Sequence, residues 1–140
     1  MTDLGRGSYG EVFARNGLAV KKFSKHRHLI QEYIALKYLE ECDYVVNVEG
    51  VNFSELELHM ELYDCSLKKW LQSTSKHNKE ESMCVLKGIL LGLIQIHDRG
   101  LAHGDLKPGN VLIRKYPLKA VLGDCGFVSI AKYTKAERTA

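Results

Sequence analysis

His103-Gly104-Asp105-Leu106-Lys107-Pro108-Gly109-Asn110 gathers a carboxylate, an ammonium and an amide in one short stretch. Pro108 and Gly109 suit neither a helix interior nor a strand, so the stretch reads as an open loop on which three polar side chains can converge. Val121-Leu122-Gly123-Asp124-Cys125-Gly126-Phe127 adds a second carboxylate just past an apolar run. The runs 111–113 and 120–122 can pair as a hairpin with Tyr116-Pro117 in its turn, which sets Asn110 beside Asp124. A carboxylate with an amide oxygen is a hard-oxygen set suited to magnesium bridging phosphates.

Leu4-Gly5-Arg6-Gly7-Ser8-Tyr9-Gly10-Glu11-Val12 contains G-x-G-x-x-G. Such spacing also opens Rossmann helices. Here only a short stretch precedes Gly5, and a hairpin signal rather than a helix follows Gly10. Glycines in a hairpin let backbone amides approach phosphate oxygens unobstructed; the bland alternative is a bulged hairpin with no ligand. Glu32 lies at helical spacing from Leu29, Leu36 and Leu39. A carboxylate on a buried stripe is costly unless a cation pairs with it, and Lys21 on the preceding strand is the nearest candidate. The competing reading sets Glu32 at the solvated edge of the stripe.

These elements, taken in order, resemble the protein kinase family. The glycine loop with Val12 matches G-x-G-x-x-G-x-V, and Leu18-Ala19-Val20-Lys21 matches V-A-I-K. His103 to Asn110 resembles H-R-D-L-K-P-x-N of the serine/threonine type, and Asp124-Cys125-Gly126 resembles D-F-G. The resemblance implies an α+β, two-lobed fold, with an antiparallel N-lobe sheet carrying one helix and an incomplete helical C-lobe. It implies ATP bound by residues 4–12 with Lys21 and Glu32, and Mg2+ held by Asn110 and Asp124. Asp105 would take the proton of a substrate hydroxyl, and Lys107 would neutralise charge on the transferred phosphoryl group. The implied reaction moves the γ-phosphate of ATP to serine or threonine hydroxyls of a protein substrate.

The elements that must position these residues can be read coarsely. Glu11–Arg15 and Leu18–Phe23 are strand-like and flank Asn16-Gly17, a strong hairpin signal. Leu29–Glu40 carries Leu29, Tyr33, Leu36 and Leu39 at helical spacing. Val45–Phe53 and Leu56–Leu62 read as strands with a turn near Ser54-Glu55. Ser66 can cap a short helix to Leu71, and Ser73–Lys79 is a polar loop. Glu80–Asp98 reads as a long amphipathic helix with Met83, Leu86, Leu90, Leu93 and His97 on one stripe, Gly88 and Gly92 allowing close packing, and Gly100 ending it. The chain is expected to be one kinase-like domain, 1–63 as N-lobe and 64–140 as partial C-lobe. The junction near Tyr63–Ser66 is a natural ligand site.

Composition sets bounds. The 140 residues are 45% hydrophobic with net charge +3 and no basic block, which gives no case for nucleic acid or membrane as partner. Apolar runs such as Ile89–Leu91 are far shorter than the roughly 20 residues of a membrane span. Four scattered cysteines without a C-x-x-C pair imply free thiols in a reducing, intracellular setting, cytoplasmic or nuclear. His26 and His28 lack ligand-spaced partners and read as surface residues, and Trp70 reads as packing.

The chain also departs from the family. Gly104 replaces the arginine that commonly receives an activation-loop phosphate, so that control is expected to be absent. Cys125 replaces the D-F-G phenylalanine, and the smaller side chain is expected to loosen the active arrangement. After Gly126 no A-P-E element appears, nor the helices that complete the second lobe. The chain is thus a piece of a longer protein or a minimal form, and its compact pattern is similar to kinases of large DNA viruses. Two rival functions remain open: a truncated pseudokinase that docks on another kinase or regulator, and a small-molecule phosphotransferase, whose H-G-D-x-x-x-x-N Gly104 fits.

Overall fold

The computed structural model describes residues 2–6, 10–73 and 76–130, with side chains from residue 10 onward. Strands β1 (Thr2–Arg6), β2 (Gly10–Arg15) and β3 (Leu18–Phe23) lead into helix α1 (His26–Tyr38), then β4 (Val48–Asn52) and β5 (Glu57–Glu61). The five strands form an antiparallel sheet in the order β1-β2-β3-β5-β4. Asn16 and Gly17 take φ of 52° and 79°, the left-handed pair that a two-residue hairpin with the right twist demands. Val12 and Leu58 flank Lys21 in register, so all three share the face that α1 covers.

β6 (Cys65–Ser66) and α2 (Leu67–Gln72) follow, with the Ser66 hydroxyl accepting from Lys69 N–H as the cap. Helix α3 (Lys79–Asp98) starts at an Asn78–Glu81 capping box and ends before Gly100, whose φ is +75°. Then come β7 (Leu101–Ala102), the hairpin β8 (Val111–Lys115) and β9 (Leu118–Leu122), and β10 (Ser129–Ile130), which pairs with β7.

Three expectations need correction. Helix α1 begins a turn earlier than Leu29 and stops at Tyr38, so its polar first turn escaped the apolar pattern. The expected strand 45–53 is split. Residues 44–46 bond to β9 instead (Val46 N–H to Leu122 O, 2.9 Å; Leu122 N–H to Tyr44 O, 2.9 Å), and only Val48–Asn52 joins the sheet. On α3 the period is right but the face is wrong. The buried line is Val85, Gly88, Gly92 and Ile96; of the expected stripe only Leu93 packs, half-buried, against the core, while Met83, Leu86, Leu90 and His97 are exposed. The glycines decide it: a Cβ at Gly88 would overlap the Ala120 carbonyl, and one at Gly92 would lie 2.7 Å from Tyr44 O. The helix turns its thinnest face to β9, and the gain is close packing.

The core is continuous. Leu29 and Leu36 of α1, with Leu39 just past its end, share one core with Leu58 of β5, Ile96 of α3, and Ile113 and Leu122 of the hairpin. Each such side chain stabilises the fold by roughly 1.5–3 kcal/mol. Trp70 is buried and stacks on His77 with ring centroids 3.4 Å apart, as its packing role requires.

Candidate active site

Lys21 sits mid-strand in β3, facing α1, and only 2% of it is exposed. Its ammonium donates to Glu32 Oε1 at 2.7 Å and to Asp124 Oδ1 at 3.3 Å, and rests 5.1 Å from the Phe23 ring centroid. Glu32 is fully buried on α1, beside Leu29 and Leu36. The solvated-edge alternative for Glu32 therefore fails. Burial opposes the charge on Lys21, but the Glu32 and Asp124 carboxylates outweigh it and raise the Lys21 pKa. Burial pushes Glu32 the other way, up from the usual carboxylate range, against the pull of Lys21. Among the described residues its second oxygen, Oε2, is buried without a close hydrogen-bond partner, and the Cys125 backbone adds a small pull that favours the charged form.

Asp124 follows β9 and takes a left-handed backbone with φ 48°, which aspartate tolerates better than most residues. The next turn, 125–127, packs against α1 with Cys125 1% exposed. With Cys125 in the place of the family's phenylalanine, the Lys21–Glu32 and Lys21–Asp124 contacts are made. Burial, then the nearby Glu32 and Asp124 charges, lift the Cys125 thiol pKa well above its ordinary value.

The loop before β8 is held from both sides. The buried His103 donates from Nε2 to Gly123 O at 2.7 Å and accepts Asp105 N–H at Nδ1, 3.2 Å. These partners fix a neutral tautomer with its proton on Nε2. Asn110 donates from Nδ2 to Asp105 O at 2.7 Å and to Asp105 Oδ2 at 3.0 Å. Both acceptors demand an N–H, so the amide orientation follows and Oδ1 faces the other way. Gly123 N–H returns to Asn110 O at 2.8 Å. Lys107 lies 3.7 Å from Asp105 Oδ2 with its side chain 60% exposed.

One cavity is lined by Val12, Lys21, Glu32, Asn110 and Asp124 of the expected site. Asp105 and Lys107 adjoin it through Asn110. Gly10 and Glu11 lie on β2 without lining it. Of Leu4, Gly5 and Arg6 only the β1 backbone is described, and Gly7, Ser8 and Tyr9 fall outside the described residues. Apolar walls come from Ala19, Val46, Met60 and Leu112, and Glu61–Ser66 with Lys69 form the rim. Val46, Met60 and Leu112 of the walls and the rim residues carry no motif, although the junction at Tyr63–Ser66 did signal a ligand site; Ala19 and His103 belong to motifs, but nothing in those motifs marked Ala19 as a cavity wall or His103 as the tie to Gly123. At the rim Tyr63 donates to Glu61 Oε1 at 2.7 Å, and burial with that bond pushes the phenol well above its usual range. Among the described residues no group of three or more His, Cys, Asp or Glu is placed to hold a metal. Asp124 and Asn110 line the same cavity, and a carboxylate with an amide oxygen is donor chemistry compatible with an ion that brings phosphate oxygens with it.

Comparison with known proteins agrees with this architecture. The protein kinase domain family matches residues 1–140, and the chain belongs to that family. It is 32% identical over 130 residues to a mitogen-activated protein kinase of Cytospora mali, covering 79% of this chain and 31% of that protein. It is 31% identical to a membrane-associated tyrosine- and threonine-specific cdc2-inhibitory kinase of Drosophila melanogaster, over 91% and 27% of the two chains. A putative serine/threonine-protein kinase of Acanthamoeba polyphaga mimivirus is 30% identical, over 88% and 25%. The chain thus spans about a third or less of these relatives. Protein kinases as a family use ATP with Mg2+ and act on proteins. No helix among the described residues is long and apolar enough to cross a membrane.

Proposed function

We propose that this chain binds ATP with Mg2+ in the cavity between sheet and hairpin and transfers the γ-phosphate to serine or threonine hydroxyls of proteins. The observation that carries it is the buried Lys21 held at once by Glu32 (2.7 Å) and Asp124 (3.3 Å), in a cavity that Asn110 also lines. A buried ammonium there can meet phosphate oxygens of the nucleotide, with Glu32 fixing its position. Asp124 and Asn110 Oδ1 would hold Mg2+, which would offset phosphate charge. Asp105, gripped by Asn110, takes the proton as the substrate oxygen bonds to phosphorus and the bond to ADP breaks. Lys107 offsets charge on the moving phosphoryl group. Residues 4–12 are assigned to cover the phosphates.

The division into 1–63 and 64–140 belongs to the same proposal. So does a reducing, intracellular setting, which four free cysteines favour. The family match and Lys107 in L-K-P favour this reading over a small-molecule phosphotransferase. The test is phosphotransfer to a generic basic protein, read by phosphoamino-acid analysis. Phosphoserine or phosphothreonine is expected. Phosphotyrosine alone would overturn the residue specificity, and Mg2+-dependent ATP binding with no transfer would move the chain to a non-catalytic, partner-binding role.

A further inference from the structure

Two segments bear the carboxylates to which the proposed reaction is assigned, and they run side by side. Ala102 pairs with Ser129 in β7–β10, and His103 bonds Gly123 O at 2.7 Å. Just past His103, Gly104 meets Phe127, which lies between Gly123 and Ser129. Gly104 has φ +86°, and a Cβ there would overlap the Phe127 carbonyl oxygen and stand 3.2 Å from Phe127 Cβ. The ties at Ala102 and His103 are hydrogen bonds that backbone or His103 can supply with any neighbours. At Gly104 the contact is a clearance, and a side chain would intrude on it. Asp105 is the next residue, and Asp124 opens the turn that delivers Phe127.

We infer that Gly104 is a positioning residue: by lacking a side chain it lets the Phe127 backbone close over the catalytic loop, and so sets the spacing between Asp105 and Asp124. This rests on the phosphotransfer reading for its functional consequence, but not for its geometry. The left-handed backbone alone does not explain the requirement. Gly100 has a similar φ of +75°, yet among the described residues a Cβ there would meet nothing within 4 Å.

That contrast supplies the experiment. Gly104→Ala, Gly104→Asn and Gly100→Ala are compared for turnover, Mg2+-ATP affinity by calorimetry, and amide hydrogen exchange of 101–106 and 124–130. A misplacement of order 1 Å costs roughly 10²-fold in rate, so both Gly104 variants should lose about that much turnover while nucleotide affinity changes little. Exchange in the two segments should rise together. Gly100→Ala carries similar backbone strain without overlap and should keep turnover and the exchange of 124–130. Asparagine tolerates left-handed backbone, so full activity in Gly104→Asn would show that conformation matters and clearance does not, overturning the inference. Unchanged exchange of 124–130 in both Gly104 variants would overturn it too. If the unsubstituted chain transfers no phosphate, the phosphotransfer reading fails, and the exchange data still decide the positioning claim.

Discussion

Lys21 and Asp124 stand 103 residues apart in sequence and 3.3 Å apart in space. The contact joins the sheet to the hairpin and draws Glu32 into the same knot, because Lys21 also holds Glu32 Oε1 at 2.7 Å. A buried ammonium with two carboxylates is a tight charge cluster, and removing its centre leaves two acids in a dry setting.

Lys21→Met should therefore weaken nucleotide binding as well as stability. For the unsubstituted chain, Mg2+-ATP at a hundredfold excess over its dissociation constant should stabilise the native state by about 2.7 kcal/mol. Differential scanning fluorimetry with and without nucleotide measures this. An unchanged melting curve at millimolar ATP, for folded protein, would count against the cavity as a nucleotide site.

Asp105→Asn and Asp124→Asn should fail differently. The first keeps shape and loses a base, so turnover should drop roughly 10²–10⁴-fold with ATP affinity nearly intact. The second replaces a proposed Mg2+ ligand and a partner of Lys21, so Mg2+-dependent ATP affinity should fall as well. Steady-state kinetics with calorimetric binding separate the two. Wild-type turnover in Asp105→Asn would show that the base is assigned wrongly.

Activity should survive phosphatase treatment. The family's arginine at the position of Gly104 is what an activation-loop phosphate usually pairs with, and Gly104 has no side chain to offer. Turnover before and after dephosphorylation, with mass spectrometry to confirm removal, checks it. A large loss would mean that another cation has taken the role.

Acid stability should depend on Glu57. Two hydrogen bonds from Arg15 (3.0 and 2.9 Å), outweighing burial and helped by His59, hold its carboxyl down at about 2, against 4.5 unfolded. Between those values the unfolded chain binds more protons. The contribution is thus complete above roughly pH 5 and lost as pH falls towards 2. Because the Arg15 side chain is 36% exposed, its size should be about 1–3 kcal/mol. Urea unfolding of Glu57→Gln and the unsubstituted chain should show that gap at pH 7 and little of it near pH 2.5. A constant gap across the range would refute the assignment.

The catalytic loop was legible in sequence because its residues are contiguous and the loop is built by its own proline and glycine. Lys21 with Glu32 was legible because a carboxylate at the spacing of Leu29 and Leu36 demands a cation. Asp124 as a second partner of Lys21 was not, since nothing local in either segment records the other. The bond from His103 to Gly123 was hidden for the same reason. The face of α3 was misread because periodicity weighs apolar size, whereas contact distance selected Gly88 and Gly92 for having none. The cavity rim at Glu61–Ser66 has no motif, as backbone and shape define it.

Gly88 and Gly92 also shape how this protein can vary. They seat α3 against β9 with no slack, and the two ends of that contact lead into the loops that carry Asp105 and Asp124. A methyl group at Gly88 has nowhere to go but into the Ala120 carbonyl, so the helix must lift as a lever. The site is therefore also vulnerable on the back of the hairpin, away from the residues that line the cavity. The rim, built from Glu61 to Ser66, is freer to drift and with it the shape of what the cavity admits.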